Sequence, residues 1–339
     1  MRRLLAAPLA MLAFTAALPA QAPVAFDEWE VPYERSRPRD PYVAPDGSVF
    51  FVGQVGNYIA RLDQKSGQFT RFEIDPGTNP HNLIIDRRGM VWYAGNRNGM
   101  IGRLDPATGA ITRYPMPDST ARDPHTLVFD QAGDIWFTAQ QSGFVGRLAT
   151  RTGKIDLIKL DRLPSGRSTL PYGIVIDAKG TPWFCEFGSN TLVSINPRTL
   201  ALSRFALAHE RTRPRRIAPT SDGAIWYVDY ARGFLGRLDP ATKAVKEWAS
   251  PAGALSLPYG MAVDDADRLW YVETGVQPNR LVGFDSKTER FAFEQEVGEA
   301  RANTIRHMYF HPPTRELWYG ADQNTIGRVK IPPARALVP

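Results

Sequence analysis

Residues Pro80–Pro117 read PHNLIIDRRGMVWYAGNRNGMIGRLDPATGAITRYPMP, and residues Pro124–Leu160 read PHTLVFDQAGDIWFTAQQSGFVGRLATRTGKIDLIKL. The two stretches share one internal order. A short apolar run leads into a D-x-x-G turn, then a Trp-aromatic strand and a loop. An I-G-R-hydrophobic strand follows, then a Thr-Gly turn and a last strand of alternating character. Four short strands with period-2 patterning and turn chemistry between them are the sequence form of one propeller blade.

Further copies begin at Pro171, Pro214 and Pro258, an earlier one at Pro41 and a last one near Ile305, at spacings of 39 to 47 residues. A fixed period of this length signals a repeat architecture. The aromatic position is filled by Phe50, Trp92, Trp136, Trp183, Trp226, Trp270 and Trp318, read as core between blades. The last copy stops near Ile331 without a fourth strand. Phe26–Pro32 resembles the fourth strands Ile111–Pro117 and Val245–Pro251 and is expected to supply it. The sequence therefore predicts an all-β, seven-bladed β-propeller of four-stranded blades, with the ring closed by the N-terminal strand. One such domain would span residues 23–339.

Composition agrees. The chain of 339 residues carries 28 Gly and 28 Pro, which suits many short elements joined by turns. The net charge of +6 includes Arg2 and Arg3, and no basic run is interleaved with aromatics. Nucleic acid is not an expected partner. Residues 1–22 carry a positive n-region, an apolar run from Leu4 to Leu18 and small residues after it, as in a secretory signal peptide. Cleavage after Ala20 or Ala22, a periplasmic or secreted location, no stable membrane insertion and a monomer are expected. Cys185 is the only cysteine, so no intramolecular disulfide can form, and its apolar neighbours make it a core residue.

In a propeller the inner strands start at one face and line a funnel, so equivalent positions form rings. The ring after each starting Pro reads Tyr42, His81, His125, Tyr172, Arg215, Tyr259 and Arg306. Convergent titratable and aromatic groups of this kind suit a small-molecule site, although polar rings also simply hold water at a propeller mouth. Asp123, beside His125, completes a local cluster. Two imidazoles with an Asp can hold a divalent ion, or one imidazole can act as a base tuned by the carboxylate. Glu186, Asp229 and Glu273 lie three residues beyond their Trp, and Asn96, Gln140 and Asp322 lie four beyond; these are metal ligands or loop caps. Arg211, Arg213, Arg215 and Arg216, with Arg122 and Arg306, favour an anionic ligand. His209, His307 and His311 fall outside the ring and are read as structural.

The repeat P-[HY]-G-hydrophobic…D-x-x-G-x-[IV]-W-F-T-E…N-x-I-G-R-[IL], carried by Pro171–Phe187, Val91–Asp105, Ile135–Leu148 and Ile225–Asp239, resembles that of the streptogramin B (virginiamycin B) lyase family. The resemblance implies linearisation of a cyclic depsipeptide without water. A base removes the proton α to a carbonyl, Mg²⁺ polarises that carbonyl, and the ester carboxylate departs. It also implies two ring histidines in the last two blades, a ring Tyr in the first, and glutamates nearby. In those blades this sequence has Tyr259, Arg306 and Tyr42. Rotating the ring gives His81, His125 and Tyr172 in the same cyclic order, with Asp123 and Gln140 in place of the glutamates. The expected site is then His125 as base, with His81 and Tyr172 as its catalytic partners. His81, Asp123 and Gln140 would hold Mg²⁺, and Tyr42, Arg215, Tyr259 and Arg306 would contact a small, anionic or ester-containing substrate. Two other readings stand beside it: a non-enzymatic ligand- or protein-binding propeller, and a lactonase-type hydrolase.

Overall fold

The computed structural model describes residues 24–298 and 303–333, which form seven four-stranded antiparallel sheets. The expected leader, residues 1–22, lies outside the described residues. The inner strands are Pro38–Val43, Pro80–Ile85, Pro124–Phe129, Pro171–Ile176, Pro214–Pro219, Pro258–Val263 and Ile305–His311, and they open blades 1 to 7 in that order. Each packs against the next, and the first packs against the last, so the sheets close a ring. The seventh blade takes its outermost strand from Phe26–Glu30, which pairs antiparallel with Thr325–Lys330, from Phe26 opposite Val329 to Glu30 opposite Thr325. Closure of this kind leaves only the short outer edge of each blade exposed.

The repeat motif has a physical reason at each position. The Asp that opens the D-x-x-G turn serves three donors at once. Asp86 Oδ1 accepts from the backbone of Arg88 and Met90, while its Oδ2 accepts from Trp92 Nε1 at 3.0 Å. Asp130, Asp177 and Asp264 hold Trp136, Trp183 and Trp270 in the same way at 3.0 Å. Thr220 and Glu316 take over for Trp226 and Trp318. The indoles are thereby buried with their one polar atom satisfied, as a buried Trp requires.

The I-G-R strand lies beside the Trp strand in fixed register. Arg103 is opposite Trp92, with its guanidinium 5.4 Å from the indole centre, and Gly102 is opposite Tyr93. A Cβ at Gly102 would sit 2.1 Å from the Tyr93 ring, so the aromatic after Trp demands glycine there. Gly236 and Gly327 meet Tyr227 and Tyr319 at the same 2.1 and 2.2 Å. Cys185 is fully buried between inner strands, against Gly173 N and Arg215 O, and burial pushes its thiol up to about 12. Such a thiol is inert packing.

Candidate functional site

The upper face is the one where the inner strands begin. The second residues of the seven inner strands meet there, and they are Arg39, His81, His125, Tyr172, Arg215, Tyr259 and Arg306. Six are the ring residues expected from the sequence. Tyr42 is not: the first inner strand begins at Pro38, and a bulge between Arg39 and Tyr42 sets its register. Tyr42 is instead the fifth residue of its strand, stacked on Tyr309 at 4.0 Å lower in the channel. The sequence held a signal for this. Five Trp residues follow their starting Pro by 12 positions, and 12 before Phe50 is Pro38, not Pro41.

The expected His81–His125–Tyr172 cluster is brought together. The imidazole centroids are 3.7 Å apart, and His125 lies 4.3 Å from the Tyr172 ring. Arg39 Nη1 lies 2.7 Å from His81 Nε2. Arginine can only donate, so Nε2 of His81 is the bare nitrogen of a neutral ring. His125 Nδ1 is 2.8 Å from Thr126 Oγ1, which also accepts from Arg216 Nη1 at 3.3 Å. Burial, then Arg39 for His81 and Arg216 for His125, push both imidazoles well below the usual value. They are therefore neutral at physiological pH, because a second cation beside these guanidinium groups costs too much.

Across the funnel, Arg215 stands in an aromatic cage. Its guanidinium carbon is 3.7 Å from the Tyr259 ring centre, 4.2 Å from Tyr230, 4.7 Å from Phe187 and 5.3 Å from Tyr172. The hydroxyls of Tyr172 and Tyr259 hydrogen-bond to each other across the axis. Burial raises the Tyr259 phenol, but Arg215, then Arg39 and Arg216, outweigh it and bring it down to about 8. Tyr172 is raised by burial and by Tyr259. The surrounding guanidinium groups thus make the first proton of this hydrogen-bonded pair easier to lose. Arg306 is ion-paired with Asp322, its Nη2 2.5 Å from Oδ2, and its guanidinium carbon lies 5.8 Å from the Tyr259 ring centre at the edge of the cage. Arg216, one of the arginines expected to favour an anion, joins the site, and Arg39, Tyr230 and Phe187 complete it without having been singled out for it. Nor was His307 placed in the channel: it is the third residue of the last inner strand, half-buried beside Asp40 and Arg216.

The donors expected for Mg²⁺ do not fit that ion. His81 faces a guanidinium. The Asp123 carboxylate accepts from Gln141 N, Ser142 N at 3.0 Å and Ser142 Oγ, which makes it the cap of the turn between two strands. Gln140 is engaged through its backbone carbonyl by Ser168 Oγ at 2.9 Å. Magnesium asks for octahedral oxygen ligands, carboxylates first. Among the described residues no three His, Cys, Asp or Glu side chains gather to hold a metal. The loop carboxylates are caps as well: Asp229 accepts from the backbone of Arg213, Ala231 and Arg232, and Glu273 from Ala252. Arg122 and Arg211 stay at the surface. His209 and His311 bond only locally, to Arg211 N and Thr314 Oγ1.

Solved structures of the same shape are numerous. Selenomethionine-substituted virginiamycin B lyase from Staphylococcus aureus has a TM-score of 0.81 and 21% identity, over 91% of this chain and 100% of that one. A streptogramin B lyase structure has a TM-score of 0.79 and 24% identity, over 90% and 97%. A catalytically inactive virginiamycin B lyase from S. aureus with quinupristin has a TM-score of 0.80 and 22% identity, over 91% and 100%. At such identities the likeness establishes the fold. No curated protein sequence matches. Among the described residues no helix is long and apolar enough to cross a membrane. The sequence profile of the virginiamycin B lyase family matches residues 22–167 and 124–334, and the chain belongs to that family.

Proposed function

We propose that this chain is a carbon–oxygen lyase that opens an ester or lactone linkage in a small cyclic or anionic substrate, at the upper funnel. One observation carries the reading: Arg215 lies 3.7 Å over Tyr259, whose hydroxyl bonds to Tyr172 next to the His125–His81 pair. A phenol lowered to about 8 is a base matched to neutral pH. The two imidazoles, lowered by burial and cations, are weaker bases, so the role expected of His125 passes to Tyr259. His125 and Tyr172 orient it.

In the reaction, Tyr259 phenolate takes the proton α to the substrate carbonyl. The electron pair left on carbon forms an enolate, beside which Arg215 and Arg39 place fixed positive charge. Collapse of the enolate forms a carbon–carbon double bond and breaks the β-carbon–oxygen bond, whose electrons leave on a carboxylate. No water is consumed. The relatives named as virginiamycin B and streptogramin B lyases support this reaction class, and the leader at residues 1–22 supports export.

A second reading has its own support. In direct register with the histidines and tyrosine that the family resemblance implies, this chain carries Tyr259, Arg306 and Arg39, which suits capture of an anion without turnover. Mature protein incubated with a streptogramin B depsipeptide or a simple lactone, with and without Mg²⁺, and analysed by mass spectrometry separates the cases. A linear product of unchanged mass, lost in Tyr259→Phe, supports elimination. A product heavier by one water makes the protein a hydrolase, and substrate that is bound but intact makes it a binding propeller.

A further inference from the structure

We propose that the lower half of the central channel is a second ligand site, for a small monocarboxylate with an apolar body. The site does not rest on the reaction proposed above, although Arg39 and Arg216 stand between the two.

Below the upper ring, the channel holds a cavity of about 330 Å³, lined by the third to sixth residues of the inner strands. Its deep end is polar and carries surplus positive charge. Arg216, only 4% exposed, lines it and donates from Nη1 to Thr126 Oγ1 at 3.3 Å. Its Nε and Nη2 have no hydrogen-bond partner. Arg39, 5% exposed, lies above the cavity and outside its lining, and likewise leaves Nε and Nη2 without one. Asp40 is the carboxylate between them, 3.7 Å from Arg39 Nε and 4.0 Å from Arg216 Nη2, and Asn82 already donates to it at 2.8 Å. One buried carboxylate cannot neutralise two buried guanidinium groups, and an uncompensated buried charge is strongly unfavourable. His307, brought down to about 4 chiefly by burial, is neutral and adds no negative charge.

The walls below this end are of the opposite kind. The fifth residues of the inner strands form a girdle, with Tyr42 and Tyr309 stacked at 4.0 Å and aliphatics from Ile84 to Ala262 completing the circle. A file of water there would lack the two to four polar partners that each buried water needs. A hydrocarbon body suits such walls, and a single carboxylate suits the forked N–H groups at the end.

The test is calorimetric titration of the whole protein with octanoate at neutral pH, with acetate and octanol as probes of head and body alone. Octanoate is expected to bind at least about tenfold more tightly than either. Ala262→Phe, which fills the girdle, is expected to abolish that binding, and Val128→Phe fills it from the opposite wall should the first variant fold poorly. Arg215→Gln, in the upper funnel, is expected to leave it intact. Octanol binding as tightly as octanoate, or octanoate binding that survives the girdle variants but is lost in Arg215→Gln, overturns the proposal.

Discussion

The guanidinium of Arg215 rests 3.7 Å above the ring of Tyr259, in a funnel whose carboxylates are otherwise engaged. This places a permanent cation over a phenol that has no carboxylate of its own to oppose ionisation. The contact is the electrostatic centre of the upper site.

Its first consequence is a titration. The phenol of Tyr259 falls to about 8, so one tyrosine should ionise near that pH when phenolate absorbance is followed. Because the base acts only when deprotonated, turnover should climb with pH through about 8 and level off above it. Arg215→Gln should move both the absorbance step and the rate profile upward. Tyr259→Phe should lose about 10²- to 10⁴-fold in kcat, the usual contribution of a positioned base. Retention of the absorbance step in Tyr259→Phe would assign it to another tyrosine.

The buried histidines make stability depend on pH in a stated direction. His81, His125 and His307 all have folded-state values below the ordinary 6.5, chiefly through burial. Above that pH neither folded nor unfolded chain is protonated there. As pH falls below 6.5 the unfolded chain takes up protons that the folded one refuses, and stability is lost down towards about 4, where His307 itself titrates. Asp40, held low against burial by His307, Arg39 and Arg216, stays charged through this window. Each histidine should cost about 1.4 kcal/mol per pH unit at most. Urea midpoints at several pH values should show the slope, reduced in His307→Asn.

Two glycines of one blade should respond differently to the same methyl group. Gly102→Ala drives a Cβ to 2.1 Å from the Tyr93 ring and should destabilise by about 3 kcal/mol or more. Gly109→Ala meets nothing within 4 Å, but its φ of +75° makes alanine unfavourable by about 1 kcal/mol. Chemical denaturation of both variants gives the ranking directly.

Magnesium should leave the folded protein unmoved. With Arg39 on His81 and Asp123 spent on a turn, millimolar Mg²⁺ or a chelator should shift neither the unfolding midpoint nor the Tyr259 titration. A metal-dependent midpoint that disappears in His81→Ala would restore the metal site expected from the sequence.

The architecture was readable because most blades repeat parts of one small chemical contract: an Asp for the Trp N–H in four of them, a Gly opposite the next aromatic in four, an Arg across from the indole in four. These demands recur at fixed spacing, so seven copies reinforce one another. The funnel was less readable, because its rings combine residues from different blades and one misplaced start changes a member. Pro38 and Pro41 both precede a large polar residue, and choosing the second exchanged Arg39 for Tyr42. Asp123 looked like a partner for His125, yet it precedes the strand that begins at Pro124, and its carboxylate is taken by the backbone of Gln141 and Ser142. The Arg215 cage needed Tyr230 and Phe187, which lie four residues beyond their Trp like Asn96, Gln140 and Asp322, but a search of that loop position for metal ligands and caps passes over aromatic residues.

The pairing of Phe26–Glu30 with Thr325–Lys330 has a mechanical corollary. Phe26 and Val329 face each other at the same end of that pair, so the chain enters and leaves the ring side by side. Tension applied between the two ends therefore peels the clasp one hydrogen bond at a time, as a zip opens, and never loads the bonds together in shear. The ring should yield at low force there and then unwind blade by blade from the seam.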